Sequence, residues 1–180
     1  MIEAKCPHFF DTDVLFFFIC SETEKILFDL FPKIFIPEPV FLEAQRFNGV
    51  LGTYFKNRLI FYEANGQLTK KYFRDLSSDE YKLYIYLQSP KNEFKKIGRG
   101  ESSAIAMAKY YSGVIVSSNY SDVDQYAHYY SVNHVGTDDI LSFAFQQKKI
   151  TMDELLCIRN KIISNGGWLP DKFQITKKYK

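Results

Sequence analysis

Phe9-Phe10-Asp11-Thr12-Asp13-Val14-Leu15 is the stretch on which the fold turns. Two apolar residues close a short buried strand, an acid follows at once, and the chain then turns into the apolar run from Val14 to Cys20. A carboxylate set directly against Phe9, Phe10 and Val14 loses water on folding. That is tolerable chiefly when a cation or several hydrogen bonds compensate the charge. In an open parallel sheet, ligands bind outside the carboxyl ends of the strands, so an acid just after a buried strand stands where such a site forms. Asp11 is therefore a candidate metal ligand, the plain alternative being that it caps the following helix.

Outward from this stretch, apolar blocks alternate with amphipathic ones, the pattern of βα units around a parallel sheet. Ile26, Leu27 and Leu30 predict a helix ending at Phe31 and Pro32, and Ile34 to Ile36 a second strand. Pro37 and Pro39 suit the first turn of a new helix, which carries Val40, Ala44, Phe47 and Leu51 on one face. Leu59 to Phe61 is expected as the third strand. The polar segment from Glu63 to Lys96 follows, with a capping-box spacing at Ser77 and Glu80 and a helical period through Tyr81, Tyr84 and Ile85. After Gly98 and Gly100 comes a small-residue helix with Ala104, Ala108 and Tyr111 along one side. Then follow a strand at Val114 to Val116, a helix around Tyr126, Ala127 and Tyr130, a strand at Val132 to Val135, and a helix through Ile140, Leu141, Ala144 and Phe145. Thr151 and Glu154 cap the last helix, which stops at Asn165, Gly166 and Gly167. The expected architecture is α/β and three-layered: a central parallel sheet flanked by helices, one domain over 1–180, a helical insertion around 63–97, and a loose basic tail over 172–180.

Composition agrees with one globular domain. The chain has 180 residues, is 46% hydrophobic, and carries 13 Tyr and 17 Phe, too apolar and aromatic for a disordered chain. A net charge of +2 says little about partners, so nucleic-acid binding would rest on local patches. Two are present: Lys70, Lys71 and Arg74, and Lys91, Lys95, Lys96 and Arg99, with Tyr72, Phe73 and Phe94 interleaved. Basic and aromatic side chains together hold phosphates and stack bases, although charge runs are often only solvated helix faces. Cys6, Cys20 and Cys157 lack zinc-site spacing and suit a reducing compartment. No leader pattern is read, and the longest apolar run is too short to span a bilayer, so a cytoplasmic protein without membrane contact is expected.

Further acids fall near the same sheet edge. Glu43 lies just past the first turn of its helix, beside the apolar stripe. Glu101 opens the small-residue helix directly after Gly98-Arg99-Gly100, where little bulk crowds its carboxylate, although a charge there also suits a helix N-terminus. Ser117, Ser118 and Asn119 end the strand at Val116, and Ser118 and Asn119 are candidates to position water or substrate. Asp122 and Asp124 follow a turn later, and Asp122 could reach back toward the strand ends.

Taken in order, these motifs resemble the PIN-domain ribonucleases. The matching residues are Asp11-Thr12-Asp13-Val14-Leu15, Pro37 through Glu43, Gly98-Arg99-Gly100-Glu101 followed by Ser102 to Ala108, and the strand ending Ser117-Ser118-Asn119. Val135-Gly136-Thr137-Asp138-Asp139-Ile140-Leu141 and Lys149-Ile150-Thr151 match as well. The resemblance covers nearly the whole chain outside about 63–96. It implies Mg²⁺- or Mn²⁺-dependent cleavage of RNA, with Asp11, Glu43 and Glu101 in the family's acidic positions; such hard cations take oxygen ligands. Where the family usually has an acid directly after the fourth strand, this chain has Ser118 and Asn119. Asp122 is the substitute in the catalytic set (Asp11, Glu43, Glu101, Asp122) and in the metal set (Asp11, Glu101, Asp122), with Thr12, Asp13 and Asp124 supporting them. Asp138 and Asp139 are expected to cap the helix at Ile140. Many small relatives are toxins held by an antitoxin protein, often as homodimers.

Two other readings stand beside this one. A non-catalytic PIN-like scaffold would bind RNA or protein with the Tyr-rich insertion as its interface, the alternative being that Tyr81, Tyr84 and Tyr86 cover the protein's own core. A haloacid-dehalogenase-type phosphatase would use Asp11 as nucleophile, but it needs a lysine that the interval 120–137 does not contain, and it leaves Glu43 and Glu101 without a role.

Overall fold

The sheet begins with β1 (His8–Phe10), and β1 sits at its centre. The computed structural model describes residues 6–90, 94–170, 173 and 175. After β1 come α1 (Thr12–Cys20), α2 (Lys25–Leu30), β2 (Ile34–Pro37), α3 (Glu38–Ala44), α4 (Gly49–Ala64) and β3 (Leu68–Lys71). A single 3-10 turn at Phe73–Asp75 leads to α5 (Ser78–Gln88), α6 (Arg99–Tyr110), β4 (Val114–Val116), α7 (Tyr120–Tyr129), β5 (Asn133–Val135), α8 (Thr137–Gln146) and α9 (Met152–Ser164). The five strands are all parallel in the order β3-β2-β1-β4-β5.

Alternation along the short strands divides the apolar residues between two faces. Phe10, Val114 and Val116 point to one core, built with Val14, Phe18, Phe55, Leu59, Ile140, Leu155 and Ile162 from α1, α4, α8 and α9. Phe9 and its register partner Ile115 point to the other, against Leu87, Ala104, Ala108, Val123 and Tyr126 from α5, α6 and α7. The helices thus cover both faces, as a sheet buried on both sides requires. Small residues let α6 lie close: Ser102 through Ala108 are all buried. Among the described residues no helix is long and apolar enough to cross a membrane.

Three expectations change. Leu59 to Phe61 is not a strand but part of α4, where buried Gly52, Phe55, Leu59 and Tyr62 recur at helical spacing. The single helix expected through Val40, Ala44, Phe47 and Leu51 is two helices. α3 stops at Ala44 and α4 starts at Gly49, whose φ of +76° breaks the helical path. The third strand is instead Leu68–Lys71, inside the segment taken as an insertion, so that part of 63–97 belongs to the sheet as its edge; α5 is the helical remainder.

Caps differ in detail as well. Ser77 Oγ accepts the Glu80 N–H at 3.2 Å, but among the described residues neither Glu80 carboxylate oxygen has a hydrogen-bond partner, so the box is one-sided. α8 starts at Thr137 rather than Ile140. Asp139 accepts the Gly136 N–H at 3.0 Å, while Asp138 pairs with Arg159. At α9 the box is complete, Thr151 and Glu154 each accepting the other's backbone N–H. Lys91 and nearly all of the basic tail lie outside the described residues.

Candidate acidic site at the switch point

β1 continues to β2 on one side and lies beside β4 on the other, so the crevice between the carboxyl ends of β1 and β4 is the topological switch point of the sheet. Asp11 follows β1 and Ser117 follows β4. The Asp11 N–H donates to the Val116 carbonyl at 2.8 Å and the Ser117 N–H to the Val135 carbonyl at 3.0 Å, extending the ladder one residue past the strands. Asp11, only 5% exposed, accepts the Thr12 N–H on Oδ1 at 2.8 Å and the Ser117 hydroxyl on Oδ2 at 3.1 Å. It therefore caps α1 and faces the site at once.

Glu43 enters from α3. The buried Thr12 hydroxyl donates to its Oε2 at 3.0 Å, joining the residue after Asp11 to the helix that follows β2. α6 enters through Gly100. A side-chain carbon on Gly100 would stand 2.8 Å from Asp11 Oδ1 and 2.9 Å from Glu43 Oε2, so the absent Cβ is what allows the two carboxylates to crowd against α6. Asp13 closes the other side, accepting the Val14 N–H at 2.6 Å and the Ser118 N–H at 3.0 Å and thereby fixing the backbone leaving β4. Glu101 accepts the Gly98 N–H at 2.7 Å and the Asn119 side-chain amide at 2.6 Å.

Burial pushes the Asp11 carboxyl well above its usual range; next come repulsion from Asp13 and from Glu101 and, more weakly, from Glu43, against the Thr12 hydrogen bond. Asp13 is pushed up to about 6, mainly by burial, despite hydrogen bonds from Val14 and Ser118. Burial is the larger cause of both shifts, and neighbouring like charges add to it.

The structure turns the Asp122 carboxylate to Lys95, one remove from Glu101 through Asn119. The Asp122 carboxylate also accepts the Ser121 hydroxyl at 3.0 Å, and the Lys95 hydrogen bond pulls the carboxyl below its usual range. Asn119, not Asp122, reaches Glu101. Asp124 bonds His134 at 2.7 Å, and the other ring nitrogen of His134 meets the Ser117 carbonyl at 2.8 Å, so Asp124 supports the end of β4 at one remove. Ser118 pairs its hydroxyl with that of Thr137. Of the basic patches, Lys70 pairs with Glu63 at 3.1 Å, and Lys71 and Arg74 lie over the protein's own rings.

No protein-family model and no curated protein matches the chain. The chemistry must therefore be argued from the residues themselves. The acids at the switch point offer carboxylate oxygens, as Mg²⁺ or Mn²⁺ prefers, and Mg²⁺ typically takes one or two carboxylates and keeps several waters. Asp11 and Glu43, converging on Gly100, fit that requirement. Glu101 is turned to its cap, with one oxygen on Gly98 and the other on Asn119. Among the described residues no three His, Cys, Asp or Glu side chains form a ready-made metal site. Ser117 and Gly100 are named from sequence only within the strand-end and glycine motifs, with no role of their own in the site. The strand-end position of Ser117 was a usable signal; the contact of Gly100 with two distant acids was not.

Proposed function

We propose that the chain is a metal-dependent endoribonuclease of PIN-like type, acting in the cytoplasm. The observation that carries this reading is the approach of Asp11 and Glu43, from different βα units, to the one side-chain-free position on α6. The Asp11 carboxylate is buried and that of the exposed Glu43 crowds it, so a cation there would offset a charge that burial penalises. The switch point of an open sheet is where a ligand can approach.

Asp11 and Glu43 would hold a Mg²⁺ or Mn²⁺ ion. A bound ion of this kind supplies Lewis-acid activation of water and of the scissile phosphodiester. Thr12 holds the Glu43 carboxylate in place, Ser117 holds that of Asp11, and Asp13 keeps the Ser118 backbone in register. The amide of Asn119 reaches the same edge, where it can orient Glu101 or a phosphate oxygen. Asp122 has no part in this set.

The test is cleavage of single-stranded RNA with Mg²⁺ or Mn²⁺ by wild type and by Asp11→Asn, Glu43→Gln, Glu101→Gln and Asp122→Asn. Asp11→Asn and Glu43→Gln are expected to lose at least 100-fold in rate, about 2.7 kcal/mol of barrier. Asp122→Asn should cleave like wild type. Equal cleavage by Asp11→Asn and wild type would overturn the assignment. One observation favours the scaffold alternative: Glu101 already has a partner on each oxygen. Absence of metal-dependent stabilisation would decide for it. The toxin reading has a separate test, growth arrest on induced expression of wild type but not of Asp11→Asn.

A further inference from the structure

Beside the acids a cavity of about 260 Å³ opens between α3, the 3-10 turn, the middle of α5 and the start of α6. Its lining includes the exposed Glu43, Arg46 and Arg99 and, as an aromatic wall, the half-buried ring of Phe73, which the buried Tyr84 backs. The wall is built, not incidental. The Phe73 N–H donates to Glu38 Oε2 at 3.2 Å, which pins the turn after β3 to the first residue of α3, and the Phe73 and Tyr84 ring centroids are 4.4 Å apart.

The two arginines differ from most of the other arginines and from the site's neighbouring lysines. Arg58 pairs with Glu24, Arg159 with Asp138, Lys95 with Asp122 and Lys70 with Glu63. Among the described residues neither Arg46 nor Arg99 makes an ion pair, and both are exposed. Arg99 is also the first residue of α6, where the helix dipole adds to the attraction for an anion. An aromatic wall takes the face of a base and guanidinium groups take phosphate oxygens bidentately, so this combination selects a nucleotide over a plain acid. The volume lies just below that of ordinary small-molecule pockets, which suits one base rather than a larger ligand.

We propose that this cavity seats one unpaired nucleotide of single-stranded RNA next to the bond to be cut, with its base against the Phe73 ring that Tyr84 backs and the flanking phosphates on Arg46 and Arg99. This rests on the RNA-cleaving reading and adds to it the strandedness of the substrate. A base in a duplex is stacked on its neighbours and cannot enter, so double-stranded RNA is refused.

The test is binding rather than turnover. A fluorescein-labelled single-stranded RNA hexamer is titrated with protein in EDTA, with anisotropy read at several salt concentrations. Arg46→Gln and Arg99→Gln should each weaken binding about tenfold and lower the slope of log K against log salt by about 0.7, the value for one phosphate contact on a single strand. Phe73→Leu should weaken binding at least fivefold with the slope unchanged, because stacking releases no counterions. Lys161→Gln, on α9, should bind like wild type, and a duplex of the same sequence should not compete. The proposal is overturned if the three pocket variants bind like wild type, if the duplex competes equally, or if an acidic peptide displaces the hexamer while Phe73→Leu is silent. Arginine-dependent binding without any metal-dependent cleavage would retire the nuclease reading and leave the pocket. Cleavage with pocket variants that bind like wild type would do the reverse.

Discussion

Replacing Asp11 with asparagine should make the metal-free protein more stable, not less. Asparagine keeps the shape and the hydrogen bonds: its oxygen can accept the Thr12 N–H, and its amide can donate to the Ser117 hydroxyl, which accepts as well as donates. Asparagine is also as good a helix cap as aspartate. What disappears is a buried charge repelled by Asp13, Glu101 and Glu43. Asp11 Oδ1 and Glu43 Oε2 both lie within 3 Å of the missing Gly100 side-chain position. They are therefore no more than about 6 Å apart, and at an effective dielectric near 20 an unscreened pair at that distance costs about 3 kcal/mol. That is an upper bound here, because Glu43 is exposed and is the weakest of the acids acting on Asp11. Water around the exposed Glu43 carboxylate screens part of this, so the expected gain in EDTA is about 1–3 kcal/mol. With Mn²⁺ at about 100 times its dissociation constant, wild type should gain about 2.7 kcal/mol by mass action and Asp11→Asn none. Urea unfolding followed by circular dichroism reads both numbers. A loss of more than about 1 kcal/mol in EDTA, or an equal Mn²⁺ response in the two proteins, would refute the reasoning, since Asp11 would then be a cap and nothing more.

Two other substitutions probe separate parts of the account. Gly100→Ala puts a carbon under 3 Å from two carboxylate oxygens. The expected result is loss of the Mn²⁺-dependent rise in melting temperature and at least a 100-fold fall in RNA cleavage, with the melting temperature in EDTA within a few degrees of wild type; an intact Mn²⁺ response would contradict the cradle. Glu80, 2% exposed, has its carboxyl pushed up to about 7 from the ordinary 4.5, mainly by burial. The folded state therefore binds the Glu80 proton more tightly than the unfolded chain. The resulting stability is fully present below pH 4.5 and is lost as pH rises through about 7. Glu80→Gln should match wild type at pH 4 and exceed it by about 2 kcal/mol at pH 8; parallel stability curves across that range would contradict it.

The legible part of the fold was its buried interior. Phe9-Phe10, Ile34 to Ile36 and Val114 to Val116 are β-branched or aromatic runs between turn residues, and each lies in a strand. β3 was missed for the opposite reason. As an edge strand it buries only Leu68 and presents Thr69, Lys70 and Lys71, a polar composition that guards an edge against pairing. The apolar triplet Leu59 to Phe61 misled because a short apolar run does not distinguish a strand from one turn of a buried helix; the decisive spacing ran from Phe55 to Tyr62.

At the site, local context separated the acids unevenly. Asp11 was conspicuous because a charge directly after a buried strand needs an explanation. Asp122 was chosen by proximity in sequence to the end of β4, but helix α7 starts at Tyr120 and turns Asp122 toward Lys95, a residue 27 positions away. No local pattern reports such a pair. The same holds for Gly100, whose significance appears only when α3 and β1 are brought against α6.

The most direct measurement is anomalous X-ray diffraction from crystals of the protein grown with Mn²⁺. The account predicts a manganese peak at the carboxyl ends of β1 and β4, bridging Asp11 and Glu43 over Gly100, and no such peak in Asp11→Asn. Saturating Mn²⁺ without density there, or with the ion found only beside Asp122, would contradict it.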